Sequence, residues 1–403
     1  MSKKILEGIR IIEFGWAVVG PLTTSWAGGY GAQVIKIESK TRPDIIRTMT
    51  PYKDDKVDLN NSLFFGRENA NKFSLALNLK IPEGVEIAKR LVARSDIVLD
   101  SYTAGVMARS GLGYEALKEV KPDIIMLSSC MYGQTGSLRS MPGYGVPLTA
   151  ISGLTYLCGW PDRPPTGPYG SYTDYLVPRL NLLAMVSALD YRRQTGQGIF
   201  IDAAQLESSV QFVAPVLLDY TANQQITKRS GNSSDRAVPH DVFPCRGKDR
   251  WCAITVFTEE EWQGFCEAIG NLPWTKTQAF STFEARKRNE PELNRLVAEW
   301  TRNQEAEWVM IQMQRHGVSA GVANNGQDLG NDPHLKDQHY YRRLDHPEMG
   351  AVDYAPHSIE FSKSPQEIFR SPCLGEHSEH IAKTIIGLSD KEFQTYSAMG
   401  VFE

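Results

Sequence analysis

Between Gly8 and Ser128, short apolar runs alternate with helical patterns, and that rhythm admits few folds. Gly8–Phe14 (GIRIIEF), Gln33–Ile37 (QVIKI), Asp96–Leu99 (DIVL) and Asp123–Ser128 (DIIMLS) read as strands, and Phe73–Leu79 as a further strand or extended segment. Pro21–Gly31 carries a short helix with proline near its first turn. Pro82–Ser95 is a helix with Val85, Ala88, Leu91 and Val92 on one face. Strands and helices in alternation predict an α/β fold, a Rossmann-like large domain built on a mostly parallel sheet.

A long helix, Thr173–Gln194, follows the Pro/Gly-rich stretch Pro161–Gly170 and stops at Gly196. Ile199–Asp202 reads as a strand and Gln205–Tyr220 as one apolar helix. The polar stretch 222–234 is the expected linker. The expected organisation is therefore a large domain over 1–221, the linker, a smaller α+β domain over 235–325, and a segment over 331–403 that returns to complete the large domain, ending in a short helix, Asp390–Met399.

Several function classes are excluded early. With a net charge of -4 the chain lacks the basic excess of a nucleic-acid binder. No stretch has the length of a membrane span, and the first residues lack the pattern of a signal peptide, so the expected setting is the cytoplasm. The six cysteines are scattered, without a CxxC pair, and read as reduced thiols rather than a zinc site. There is no GxGxxG after a strand, no GxxxxGK[ST] and no GxSxG. All eight histidines lie at or after His240. His377 and His380, three apart, read as exposed polar residues before a metal pair.

Two features carry chemistry. Gly167–Leu176 (GPYGSYTDYL) hands a glycine-rich segment to a helix at Asp174, a setting whose backbone N–H groups favour an ionised carboxylate, although Asp also caps helices routinely. Lys36, Lys40, Arg47, Lys72, Lys80 and Arg109 lie near loop ends, where a helix–sheet domain gathers cations for phosphate, or they are ordinary solvated surface.

Read in order, a dozen segments resemble the class III CoA-transferase family, which includes formyl-CoA transferase and carnitine CoA-transferase. Among them are Leu6–Pro21, Gly31–Glu38, NANKFSLALNLKIPEG (Asn69–Gly84), KPDIIMLSSCMYGQTG (Lys121–Gly136), PGYG (Pro142–Gly145), RRQTGQGIFIDAAQLES (Arg192–Ser208), NDPHLKD (Asn331–Asp337) and PCLGEHSEHI (Pro372–Ile381). The resemblance places the family's nucleophilic aspartate before the helix that runs into Arg192–Gly198, at Asp174. It implies CoA contacts from Val18 and Val19 beside the pantetheine, and from Leu77, Asn78, Leu79, Lys80, Ser101, Tyr102 and Thr103 at the nucleotide end. Arg109 takes a phosphate, and Pro142, Gly143, Tyr144 and Gly145 border the thioester. Formyl-CoA transferase has glutamine where this chain has Val18, which argues against oxalate as acceptor, and arginine where it has Ser39, with Lys40 as a substitute.

The resemblance implies an enzyme that moves CoA from an acyl-CoA, with succinyl-CoA the expected donor, to another carboxylic acid through an aspartyl-acyl mixed anhydride. No cofactor or metal is held permanently, and CoA thioester is the substrate. The oxyanion hole is expected from Gly167–Gly170, or from Gly231 and Asn232, and nearby N–H donors are expected to keep Asp174 from being raised by burial. Phe14, Trp16, Trp160 and Tyr172 fall in segments near the site; they read first as core residues, and otherwise as a pointer to a bulky or aromatic acceptor. An α-methylacyl-CoA racemase of the same fold would carry a histidine where Tyr144 stands, and a phenol is a poor general base. An intramolecular CoA isomerase using the same aspartate, and a non-catalytic subunit of a heteromeric CoA-transferase, are also compatible with the sequence. The family's architecture implies an interlocked ring dimer, either of identical chains or with a paralogous subunit.

Overall fold

The computed structural model describes residues 3–403, and the chain divides into two compact units. The larger runs up to Thr155 and adds Gly167–Ile226 and Asp337–Glu403; the smaller comprises Tyr156–Thr166 and Thr227–Lys336.

The larger unit is built on six strands: β1 (Arg10–Phe14), β2 (Gln33–Glu38), β3 (Lys72–Ala76), β4 (Ile97–Asp100), β5 (Ile125–Cys130) and β6 (Ile199–Ala204). All pair in parallel, in the order β3-β2-β1-β4-β5-β6. Both faces are covered, as a parallel sheet requires. Ile11, Val34, Leu99 and Leu127 meet Met185 and Ala188 of the Tyr172–Thr195 helix. On the other face, Ile12, Ile35 and Val98 meet Ile87 and Leu91 of the Pro82–Val92 helix, together with Ile381 and Phe402 from the returning segment. That segment is also tied by backbone: the Asn78 amide donates to the Val401 carbonyl (2.8 Å) and the His377 amide to that of Ser74 (3.0 Å).

The chain steps outward from β1 through β2 to β3, then returns to the other side of β1 at β4. Loops leaving β1 and β4 therefore diverge, and such a reversal opens a crevice at the carboxyl ends of the strands. One expected element differs. Gln205–Tyr220 is not a single helix but Gln205–Val210, a 3-10 turn at Gln211–Val213, and Ala214–Asn223. Pro215 lacks an N–H and crowds the preceding turn, so the helix restarts with proline in its first turn.

In the smaller unit β7 (His240–Pro244), β8 (Trp251–Thr255) and β9 (Ser319–Val322) form an antiparallel sheet in that order. Helices Glu259–Ala268, Glu290–Thr301 and Ala306–Arg315 pack on it around Phe243, Ile254, Phe265, Val297 and Val309.

Candidate active site

The crevice between the β1 and β4 loops is a cleft of about 340 Å³. Its walls include Trp16–Val19 after β1, Ser101–Thr103 after β4, Met131 and Tyr132 after β5, and Pro142–Gly145, with Asp174 and Gln205 from the two following helices. A second groove of similar volume shares Trp16, Arg42, Tyr102 and Thr103 with it and is otherwise bordered by Ser39, Leu77–Lys80, Val106 and Ser110. The β1 and β4 loops are tied directly, with the Trp16 amide donating to Ser101 Oγ (2.9 Å).

The loop after β1 rests on buried charge. Glu13 and Lys36 are register partners on β1 and β2. Lys36 Nζ lies 2.9 Å from both Glu13 and Asp44, and Lys72 Nζ lies 2.7 Å from Glu13. Arg47 donates two bonds of 2.8 Å to Glu38. Burial alone would push the Glu13 carboxyl up, but Lys36 and Lys72, with hydrogen bonds from Lys72 and Thr24, outweigh it and hold it near about 2. Burial lowers Lys72 to about 8 against the pull of Glu13. Asp44 Oδ1 accepts from the Ala17 amide (3.0 Å), and Lys36 donates to the Gly15 carbonyl (2.8 Å). Ala17 sits at φ 61, a left-handed conformation that costs a residue with a Cβ about 1–2 kcal/mol. The network thus holds a strained turn in the cleft wall. It also corrects the expectation for the basic residues: Lys36, Arg47 and Lys72 are neither a phosphate rim nor solvated surface, but fully paired interior groups.

Asp174 lies in the first turn of the Tyr172–Thr195 helix and is 9% exposed. Its carboxylate packs on Gly145: a Cβ added there would lie 2.5 Å from both carboxylate oxygens. The expectation that backbone donors keep this acid ionised fails. The carboxylate accepts no hydrogen bond from the described residues, and burial, with the charge of Glu68 second, pushes it up to about 7. Glu68, fully buried, carries an ion pair to Arg67. Gly145→Ala is expected to dislodge the Asp174 side chain and reduce turnover about 100-fold, the usual effect of a displacement near 1 Å. Steady-state kinetics checks this, and full activity would show that the carboxylate does not depend on the contact.

Of the residues singled out in the sequence, Val18, Val19, Ser101, Tyr102, Thr103, Pro142, Gly143, Tyr144, Gly145 and Asp174 border the cleft. Leu77, Asn78, Leu79 and Lys80 border the groove. Arg109 borders neither: it is exposed at the end of the Val106–Arg109 turn, its guanidinium against Gly105. Gly167–Gly170 do not border the cleft, and Gly231, against the Trp160 ring, and Asn232, bonded to Asp241, belong to the smaller unit. Trp16 is a wall residue, Tyr172 is exposed, and Phe14 is core. His377 and His380 both meet Phe73, and His377 Nδ1 accepts from the Ser74 amide, so they pack the returning segment onto β3. All six cysteines are free. The residues that sequence reasoning missed are Arg42, which borders both cavities where Lys40 borders neither, and Arg139. Their only signal is a position in loops that follow strand ends.

A sheet reversing at β1, with a lone carboxylate in the crevice there, is the setting in which the chain's relatives become informative. The model of CoA-transferase family III matches residues 6–378, and the chain belongs to that family. It is an enzyme of that class, acting on acyl-CoA. It is 28% identical over 397 residues to the succinyl-CoA–D-citramalate CoA-transferase of Chloroflexus aurantiacus, covering 98% of each chain. It is 30% identical over 405 residues to the succinyl-CoA:glutarate CoA-transferase of Mus musculus, covering 100% of this chain and 91% of that one. Among solved structures, a CAIB/BAIF family protein from Brucella suis matches with a TM-score of 0.87 at 27% identity, over 96% of this chain and 100% of the other.

Proposed function

We propose that the enzyme transfers CoA from succinyl-CoA to a second carboxylic acid, with Asp174 as the covalent nucleophile. The observation that carries this is that Asp174 is the only carboxylate bordering the cleft among the described residues. CoA would lie along the groove and cleft, held by Val18 and Val19, Leu77–Lys80, Ser101–Thr103 and Pro142–Gly145, with Arg109 taking a phosphate.

An Asp174 oxygen attacks the thioester carbonyl carbon, the C–S bond breaks, and CoA leaves as thiolate, giving a mixed anhydride. The acceptor carboxylate attacks the aspartyl carbonyl and displaces the donor acid. The thiolate then attacks the new acyl carbonyl and frees Asp174. Thioester energy is conserved, so neither ATP nor water enters the balance. The test is transfer from succinyl-CoA across a panel of acids, with hydroxylamine present during turnover. The expected result is ATP-independent exchange and a hydroxamate on Asp174; label on any other residue overturns the assignment.

The active form is proposed to be an interlocked dimer, identical or paired with a paralogous chain, in the cytoplasm, where free thiols persist. Among the described residues no helix is long and apolar enough to cross a membrane. What supports association is apolar exposure: Leu183, Leu218 and Ile226 are 63%, 64% and 64% exposed, with Val186, Phe212 and Leu217 beside them in sequence. Light scattering down to nanomolar concentration is expected to give about twice the 45.1 kDa of one chain. A compact, active monomer would refute the dimer.

A further inference from the structure

Two cations border the reaction cleft, and only one of them also borders the groove. Arg42 borders both the cleft and the groove, its guanidinium 4.8 Å from the centre of the Trp16 ring. Arg139 borders the cleft alone. It is exposed, and its guanidinium has no carboxylate partner among the described residues. With Asp174 the only acid there among the described residues, the walls present two arginines to one carboxyl group. The cleft is also lined by Val18, Met131 and Met141, whose side chains suit methylene groups and not water.

Together these walls describe an acyl group with a carboxylate at each end. One end reacts at Asp174, a short aliphatic spacer crosses the apolar lining, and the other end needs a cation that CoA does not occupy. We propose that Arg139 receives the distal carboxylate of a dicarboxylic acyl group and so sets the enzyme's preference for dicarboxylic over monocarboxylic acids. The inference rests on the transfer reading above and adds the residue that selects the substrate class. A guanidinium offers a planar pair of N–H donors matched to a carboxylate, which makes it selective as well as attractive. A monocarboxylic acid of the same length would leave that fork without a partner.

The test compares acceptors of equal length, succinate against butyrate and glutarate against valerate, with succinyl-CoA as donor. The wild-type enzyme is expected to favour the dicarboxylic member of each pair. In Arg139→Gln the ratio of the two kcat/KM values should fall roughly 10- to 100-fold, the effect of a lost charged hydrogen bond. Arg139→Lys, which keeps the charge and loses the fork, should fall between. Arg42→Gln is expected to raise KM for the acyl-CoA without moving that ratio. A wild-type enzyme without preference, an unchanged ratio in Arg139→Gln, or a ratio that falls in Arg42→Gln instead, would overturn the inference. Failure of the transfer reading has its own signatures: no transfer from succinyl-CoA to any acid of the panel by the wild-type enzyme, or, for the nucleophile alone, persistence of exchange in Asp174→Ala.

Discussion

Asp174→Asn is expected to abolish transfer and, above pH 7, to make the protein harder to unfold. The loss of activity, more than about 10⁴-fold, is what the proposed role of Asp174 as covalent nucleophile requires. The gain in stability follows from the environment. Burial, and after it Glu68, raise the carboxyl from 3.8 to about 7 in the folded chain. Below the unfolded value the group is protonated in both states and costs nothing. As pH rises from about 4 to 7 the unfolded chain ionises first, and above 7 the folded chain carries a buried anion at full cost. Asparagine removes that cost, roughly 4 kcal/mol from the size of the shift. Urea unfolding of the two proteins at pH 4.5 and pH 8 checks the sign: the gap should widen with pH, and a variant less stable than wild type at pH 8 would refute this account of the site. With Asp174 as the proposed nucleophile, kcat/KM of the native enzyme is expected to rise with pH through about 7. Glu68→Gln, removing the second contributor, should move that limb to lower pH.

Lys36→Met is expected to destabilise the larger unit by about 3–5 kcal/mol, the usual cost of removing one partner from a buried charge pair. The six charged groups around the β1–β2 edge balance as three acids, Glu13, Glu38 and Asp44, and three bases, Lys36, Arg47 and Lys72. Methionine matches the lysine stem but strands Asp44, whose carboxyl burial already pushes upward against Lys36. Asp44 is also the acceptor for Ala17, so CoA binding should weaken along with stability. Denaturant midpoints and calorimetric titration with CoA give the two readouts. A Lys36→Met protein as stable as wild type would show that the interior tolerates the unpaired acid.

The parallel sheet was legible because its strands are continuous apolar runs of the right length, separated by helical patterns. The cleft's walls were legible in part through segments such as Pro142–Gly145 and Ser101–Thr103. The ion network was not, since lysine and glutamate at a strand end look the same whether the sheet edge is wet or buried. The usable signal was Glu13, Lys36 and Glu38 inside otherwise apolar parallel strands, positions where burial on both faces demands a partner. The raised pKa of Asp174 was equally hidden, because Glu68 lies more than a hundred residues earlier and meets it only through the fold. Arg139 carries no local pattern at all; its meaning comes from what the cleft lacks.

The backbone bond that seats His377 on Ser74 joins residues 303 apart. On a translating ribosome, β3 emerges long before the strip that seals it. At about 5–20 residues per second the delay is roughly 15–60 s. Throughout that interval the part of this sheet face later closed by Ile381 and Phe402, beside the Pro82–Val92 helix, stands open. A nascent chain of this design is therefore a natural client for a holding chaperone, and a truncation that spares every cleft residue but ends before His377 would be released as an unsealed, sticky polypeptide.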